Sequence, residues 1–258
     1  MPRDGWSPPD HARFRDARRR PFLDLLALVE PGPAGSTRVL DVGCGTGELT
    51  HEAHRRLGAV ATLGIDASPA MLEQARASEG VAFRCAAVPP GLPPGPFDVI
   101  LSNSALNWVP GHEALLAALA ERLAPGGQLA IQMPFNPDAP FTRCCEAVAG
   151  SPAFRDALEG FVHVSPVQPP EFYLEHLDAL GFAPVRAGAW LYPQQHLDAG
   201  GVADFARGGL LSAYRARLEP AHFEAFVQAY RAALSEALGP GPIRFAFRRV
   251  FAWGRRAS

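Results

Sequence analysis

Val39-Leu40-Asp41-Val42-Gly43-Cys44-Gly45-Thr46-Gly47 carries a short apolar strand straight into a turn with glycine at alternate positions. Glycine removes side chains where a ligand must approach the backbone, and it permits the positive φ angles of a tight strand-to-helix turn. The run therefore reads as the first strand, turn and helix of an α/β fold. In an open parallel sheet, ligands bind in the crevice beyond the carboxyl ends of the strands. The loop marks one wall of such a crevice.

Working outward, the first strand is Arg38–Val42, and a helix from Glu48 to Leu57 is stopped by Gly58. Ala61–Ile65 reads as the second strand. Ser68 is an N-cap with Pro69 at the first helical position, predicting a helix over Met71–Ala77. Val81–Arg84 is the third strand and the proline-rich Val88–Pro96 a loop. Phe97–Leu101 is the fourth strand. Leu115, Leu119 and Leu123 form a core-facing helical stripe, and Pro125-Gly126-Gly127 turns sharply into a fifth strand, Gln128–Met133. Five strands with four intervening helices predict a doubly wound, mainly parallel sheet. Beyond it, 135–180 reads as helical pieces broken by prolines, Pro184–Tyr192 as a strand, and 199–238 as two helices. The second of these is amphipathic through Phe223, Phe226, Val227, Tyr230 and Leu234, and Ile243–Trp253 suits a final strand.

A chain of 258 residues builds a sizeable core without disulfides. Charged residues make up 19% and the net charge is −2, so nothing electrostatic points to nucleic acid or an anionic membrane as partner. All 24 basic residues are arginine, which excludes a Schiff-base or P-loop lysine. No stretch approaches about eighteen consecutive apolar residues, and the N-terminus lacks a signal pattern; a soluble cytoplasmic protein, monomer or homodimer, is expected. Cys44, Cys85, Cys144 and Cys145 match neither zinc nor disulfide spacings, and adjacent Cys144 and Cys145 read as helix filler. The scattered histidines imply no metal site.

Asp66 ends the second strand about twenty residues beyond the glycines, where an acid can hydrogen-bond both hydroxyls of a ribose. The dinucleotide fingerprint requires glycine three residues after Gly45, but Glu48 stands there, facing the place of a pyrophosphate. This disfavours an NAD-dependent oxidoreductase. The pattern Asp-x-Gly-x-Gly-x-Gly resembles the motif of class I methyltransferases. That resemblance implies a Rossmann-like core, with S-adenosylmethionine as cofactor and Asp41 orienting its amino group.

Over nearly its whole length the chain resembles the trans-aconitate methyltransferase family, which O-methylates a carboxylate. The resemblance rests on Trp6–Leu26 with Arg19-Arg20-Pro21-Phe22, on Gly64–Met71, on Asn103–Pro110 with His112, on Gln132-Met133-Pro134, and on Phe247–Phe251. It implies a seven-stranded sheet with a helical cap: residues 1–134 as N-terminal helix and cofactor core, 135–238 as strand six and a cap over the active site, 239–258 as the returning last strand. Carried over by residue, Asp41, Gly43 and Gly45 would hold the methionine end and Asp66 the ribose. Ala67 and Met71 would flank the adenine, Asn103 would line the carboxyl side, and Trp108 would wall the pocket.

Several positions depart from the family pattern. Cys85-Ala86-Ala87 lacks the acid that accepts from the adenine amino group, and His11 replaces a tyrosine. Ser212-Ala213 replaces an arginine-proline pair in the cap, and other polar positions read Thr142, Ala187 and Pro193. Without that arginine's fork, a tricarboxylate acceptor is disfavoured; Arg207, Arg186 and Arg249 are the compensating candidates, with Arg207 and Arg249 taken as substrate-binding. A phenol, amine or carbon acid would gain from a general base, for which His11 and His112 are the candidates. The expected activity is methylation of a small-molecule acceptor less anionic than aconitate. The competing expectation is a non-methylating S-adenosylmethionine-binding sensor or partner subunit.

Overall fold

The computed structural model describes residues 4–12, 14–32 and 35–257. Helices α1 (Pro8–Ala12) and α2 (Arg15–Leu26) lead into β1 (Arg38–Val42), α3 (Glu48–Arg56), β2 (Ala61–Asp66), α4 (Pro69–Leu72) and β3 (Val81–Cys85). Next come β4 (Phe97–Asn103), a 3-10 turn at Leu106–Trp108, α5 (His112–Ala120) and β5 (Leu123–Pro134). Then follow α6 (Pro140–Gly150), α7 (Pro152–Arg155), α8 (Pro170–Ala179) and β6 (Phe182–Leu197). The chain ends with α9 (Ala199–Arg207), α10 (Ser212–Arg215), α11 (Pro220–Leu238) and β7 (Ile243–Arg256).

The seven strands form one sheet in the order β3-β2-β1-β4-β5-β7-β6. The first five pair in parallel and β7 runs antiparallel to β5. Strand order therefore reverses between β1 and β4, the switch point at which such sheets open a binding crevice. Asp41 and Asn103 lie at the carboxyl ends of those two strands.

Local chemistry sets the element ends. Glu48 stands in the first turn of α3 and His54, Arg55 and Arg56 in its last, complementing the helix dipole. Ser68 caps α4, accepting from the Met71 amide. That helix stops at Leu72 rather than Ala77, because a Ser78–Val81 bridge with Gly80 at φ 72° claims the following residues for the turn into β3. Three helices, not four, separate the first five strands. The β3–β4 connection holds Pro89, Pro90, Pro93, Pro94 and Pro96, none with an N–H to give a helix. Pro125-Gly126-Gly127 is a bulge inside β5 rather than a turn before it: Phe97 pairs with Leu123 and Val99 with Gln128. Between 199 and 238 there are three helices, the short α10 following Gly208 and Gly209.

Chain contacts group the fold into two compact units. A sheet unit comprises 18–135, 166–190 and 248–258, with a core that includes Leu40, Ile65, Ile100, Ile131 and Val250. A helical unit comprises 1–17, 136–165 and 191–247; within it α11 packs on α6 and α9. Phe223, Phe226, Val227, Tyr230 and Leu234 are all buried there, the predicted apolar face. Tyr214 stacks on Phe226 at 4.6 Å, and Cys145 is buried beside a half-buried Cys144. No described helix is long and apolar enough to cross a membrane.

Candidate functional site

The glycine loop is held by two amides, Gly43 N and Cys44 N, donating to the Ile65 carbonyl at 2.8 and 3.0 Å. Its glycines have different reasons to be there. A Cβ on Gly43 would stand 2.0 Å from Ala105 Cβ, and one on Gly47 would stand 2.5 Å from the Phe83 ring. These two let neighbouring parts of the protein close in. Gly45 would meet only the flexible Met71 Cε, at 3.2 Å, so it keeps the backbone open toward the crevice.

Two acids flank this loop. Asp66 accepts from Gly45 N through Oδ2 and from Ser68 N through Oδ1, each at 2.8 Å, which fixes its carboxylate at the end of β2. An ionised carboxylate has about four acceptor positions. Asp41 is 3% exposed and accepts from Thr50 Oγ1 at 2.7 Å. Burial raises its pKa to about 6; the Asp66 charge pushes the same way, and the Thr50 bond opposes. Burial and the same two acids keep the Cys44 thiol protonated, so it is no nucleophile.

A polar network organises the loop after β4. Ser104 sits at φ 57°, a left-handed conformation that a non-glycine residue keeps only when its surroundings hold it. Its amide donates to Gln132 O at 2.8 Å, and its hydroxyl accepts from Gln132 Nε2 at 3.1 Å and Arg249 Nη1 at 2.8 Å. Arg249 Nη1 also reaches Gln132 Oε1 at 2.8 Å, and Gln132 Nε2 donates to Asn103 Oδ1. Strands β4, β5 and β7 thus meet through Asn103, Ser104, Gln132 and Arg249. Arg249, expected to hold substrate, is 2% exposed and engaged in this network.

His112 occupies a different environment from that expected of a base. It is 5% exposed; Nε2 donates to Leu106 O at 3.0 Å, and Nδ1 accepts from Tyr173 Oη at 2.6 Å. The Leu106 carbonyl can only accept, which sets the tautomer. Tyr173 Oη in turn accepts from Gln168 N at 3.1 Å. Both ring nitrogens are engaged, and burial holds the imidazole pKa below its usual value.

The remaining expected residues are dispersed in character. Met71 is buried, Ala67 exposed, and Asn103 and Trp108 half-buried. The side chain of His11 lies outside the described residues. In the helical unit, Arg207 is gripped by Glu224 through both oxygens at 2.8 and 3.0 Å and lies 3.9 Å from Asp10. Its guanidinium rests over the Phe223 ring at 5.3 Å. Ser212 is buried, its hydroxyl on Gly209 O at 2.7 Å. Sequence reasoning had no signal for Ser104's backbone or for Thr50's bond to Asp41. Gln132 stands out in the sequence only as part of Gln132-Met133-Pro134.

These residues suit S-adenosylmethionine. The ligand carries positive charge at sulfur and at its amino group, and a buried acid with a raised pKa is relieved by a cation. A cation also lowers the pKa of Asp41, so binding should release a proton. Affinity for S-adenosylmethionine is then expected to hold above pH 6 and to fall up to tenfold per unit below it. Isothermal titration from pH 5 to 8 would check this; a flat profile would count against Asp41 as the cation's partner.

Residues 39–127 match the methyltransferase domain family. Trans-aconitate 2-methyltransferase of Streptomyces avermitilis is 40% identical over 260 residues, covering 96% of this chain and 95% of that protein. The enzyme of the same name from Deinococcus radiodurans is 37% identical, covering 95% and 96%. Among solved structures, the YcgJ protein of Bacillus subtilis superposes with a TM-score of 0.60 at 18% identity, over 93% of this chain and 99% of that one. Phosphoethanolamine N-methyltransferase 2 of Haemonchus contortus does so with 0.56 at 16%, over 93% and 53%. At those identities the structures share the fold.

Proposed function

This chain belongs to the trans-aconitate 2-methyltransferase family and is an S-adenosylmethionine-dependent methyltransferase, and on that premise we propose that its acceptor is a small molecule carrying fewer negative charges than aconitate. The commitment of Arg207 to Glu224 carries this reading. A tricarboxylate needs cationic forks, and the family's cap arginine is replaced here by Ser212. Arg207 has its charge met by Glu224, with Asp10 close by.

In this reading the cofactor lies at the strand ends of the sheet unit. Asp41, Gly43 and Gly45 hold its methionine end and Asp66 its ribose. Ala67 and Met71 flank the adenine, and Asn103 and Trp108 border the reacting end. When bound, S-adenosylmethionine supplies a methyl group already activated on sulfonium sulfur. The protein's contribution is proximity, orientation and exclusion of water. Arg249 and His112 serve as organisers of the Asn103–Trp108 loop rather than as substrate hand and base.

The identity to enzymes named for trans-aconitate favours a second reading, in which trans-aconitate itself is the acceptor. Transfer of labelled methyl from S-adenosylmethionine to a panel of trans-aconitate, hydroxybenzoates, phenols and primary amines separates the two. At least one panel member with one or no negative charge is expected to be methylated with kcat/KM about tenfold above that for trans-aconitate. A preference for trans-aconitate would sink the proposal and leave the methyltransferase assignment standing.

A further inference from the structure

Asn107 stands out within the sheet unit. It occupies the middle of the Leu106–Trp108 turn and is 8% exposed, yet its Oδ1 is fully enclosed and receives no hydrogen bond. Several polar groups around it are hydrogen-bonded. Ser104 is tied to Gln132 and Arg249, Leu106 O to His112, and His112 to Tyr173. The turn is thus anchored on both sides of Asn107, and Ala105 packs directly on Gly43 of the glycine loop. A buried oxygen without a donor destabilises the fold, whereas an apolar side chain of similar volume would avoid that cost.

We infer that Asn107 is a ligand-contact residue whose carboxamide oxygen takes its hydrogen bond from a donor group of the bound cofactor or acceptor: an ammonium, an amine or a hydroxyl. This rests on the proposed placement of the ligands at the strand ends. The terminal torsion of asparagine is soft, so the oxygen can turn to meet a ligand without moving the anchored backbone. An ionised carboxylate has no proton to offer this oxygen. A donor from the acceptor side therefore implies a hydroxyl- or amine-bearing acceptor, and one from the cofactor side is its amino group or a hydroxyl or amine of its nucleoside.

The test compares the parent with Asn107→Leu and Asn107→Ala. S-adenosylhomocysteine and 5′-methylthioadenosine, which lacks the amino-acid end, are titrated calorimetrically, and KM is measured for the panel compound the parent methylates fastest. Free Asn107→Leu is expected to melt no lower than the parent. If the cofactor's amino group supplies the donor, both variants lose at least tenfold in S-adenosylhomocysteine affinity and keep that for 5′-methylthioadenosine; if its nucleoside supplies it, both affinities fall at least tenfold. If the acceptor supplies it, both affinities are kept and KM rises at least tenfold. A drop of several degrees in the melting temperature of Asn107→Leu overturns the inference, since the oxygen would then serve the fold. So does unchanged binding and KM in both variants. A parent that binds neither nucleoside would overturn the placement of the ligands as well.

Discussion

Asn in place of Asp41 is expected to yield a protein that is more stable at neutral pH and barely holds its cofactor. Burial pushes the Asp41 carboxyl up to about 6, well above the ordinary carboxylate range. A group whose folded pKa is raised favours the fold most when protonated, and its contribution is lost as pH rises from about 4 to 6. At pH 7 the full cost of keeping a buried carboxylate is present, at most about 3 kcal/mol. Asparagine removes the charge and keeps an oxygen for Thr50 Oγ1. The melting temperature should rise by several degrees at pH 7, given about 2–4 °C per kcal/mol for a chain this size. The gain should shrink toward nothing at pH 4. Removing one charge of a buried pair costs about 2 kcal/mol or more, so cofactor affinity should fall by about thirtyfold at least. Calorimetric melting at both pH values with titration of S-adenosylmethionine reads both effects; a variant that is less stable at pH 7 would show that Asp41 serves the fold.

Alanine at Gly43 and alanine at Gly45 are expected to fail for opposite reasons. At Gly43 the backbone sits at φ 78°, and the new methyl would stand 2.0 Å from Ala105 Cβ, an atom fixed to backbone. Strain and overpacking together should cost about 2–4 kcal/mol, with cofactor binding impaired as the Asn103–Trp108 loop is pushed away. Gly45 sits at φ 57°, and its methyl meets only the Met71 tip at 3.2 Å. Its stability cost should stay near about 1–2 kcal/mol, while affinity for S-adenosylhomocysteine falls about a hundredfold because the methyl occupies the ligand's approach. Denaturant melts beside calorimetric titrations decide the matter. Equal stability losses in the two variants would refute the division of labour between these glycines.

The five strands up to residue 134, their mainly parallel arrangement and the cofactor class were legible because their signals are local. Apolar runs bounded by glycine or proline, a Ser68-Pro69 helix start, and Asp41, Gly43, Gly45, Glu48 and Asp66 in register all lie within short windows of chain. Errors arose where local patterns compete with pairing. The Pro125-Gly126-Gly127 turn became a bulge once Val99 took Gln128 as its partner, and α4 gave up its last turn to the chain entering β3. Side-chain duties were least legible. Arg249 was visible as a cation, but its bond to Ser104 spans 145 residues; His112 was visible as a base, but Tyr173 lies 61 residues on. A single sequence shows which groups a chain owns and how they recur along it. Which of them meet, and therefore which are consumed by the fold and which, like Asn107 Oδ1, are left for a ligand, depends on long-range packing that brings distant strands and helices together.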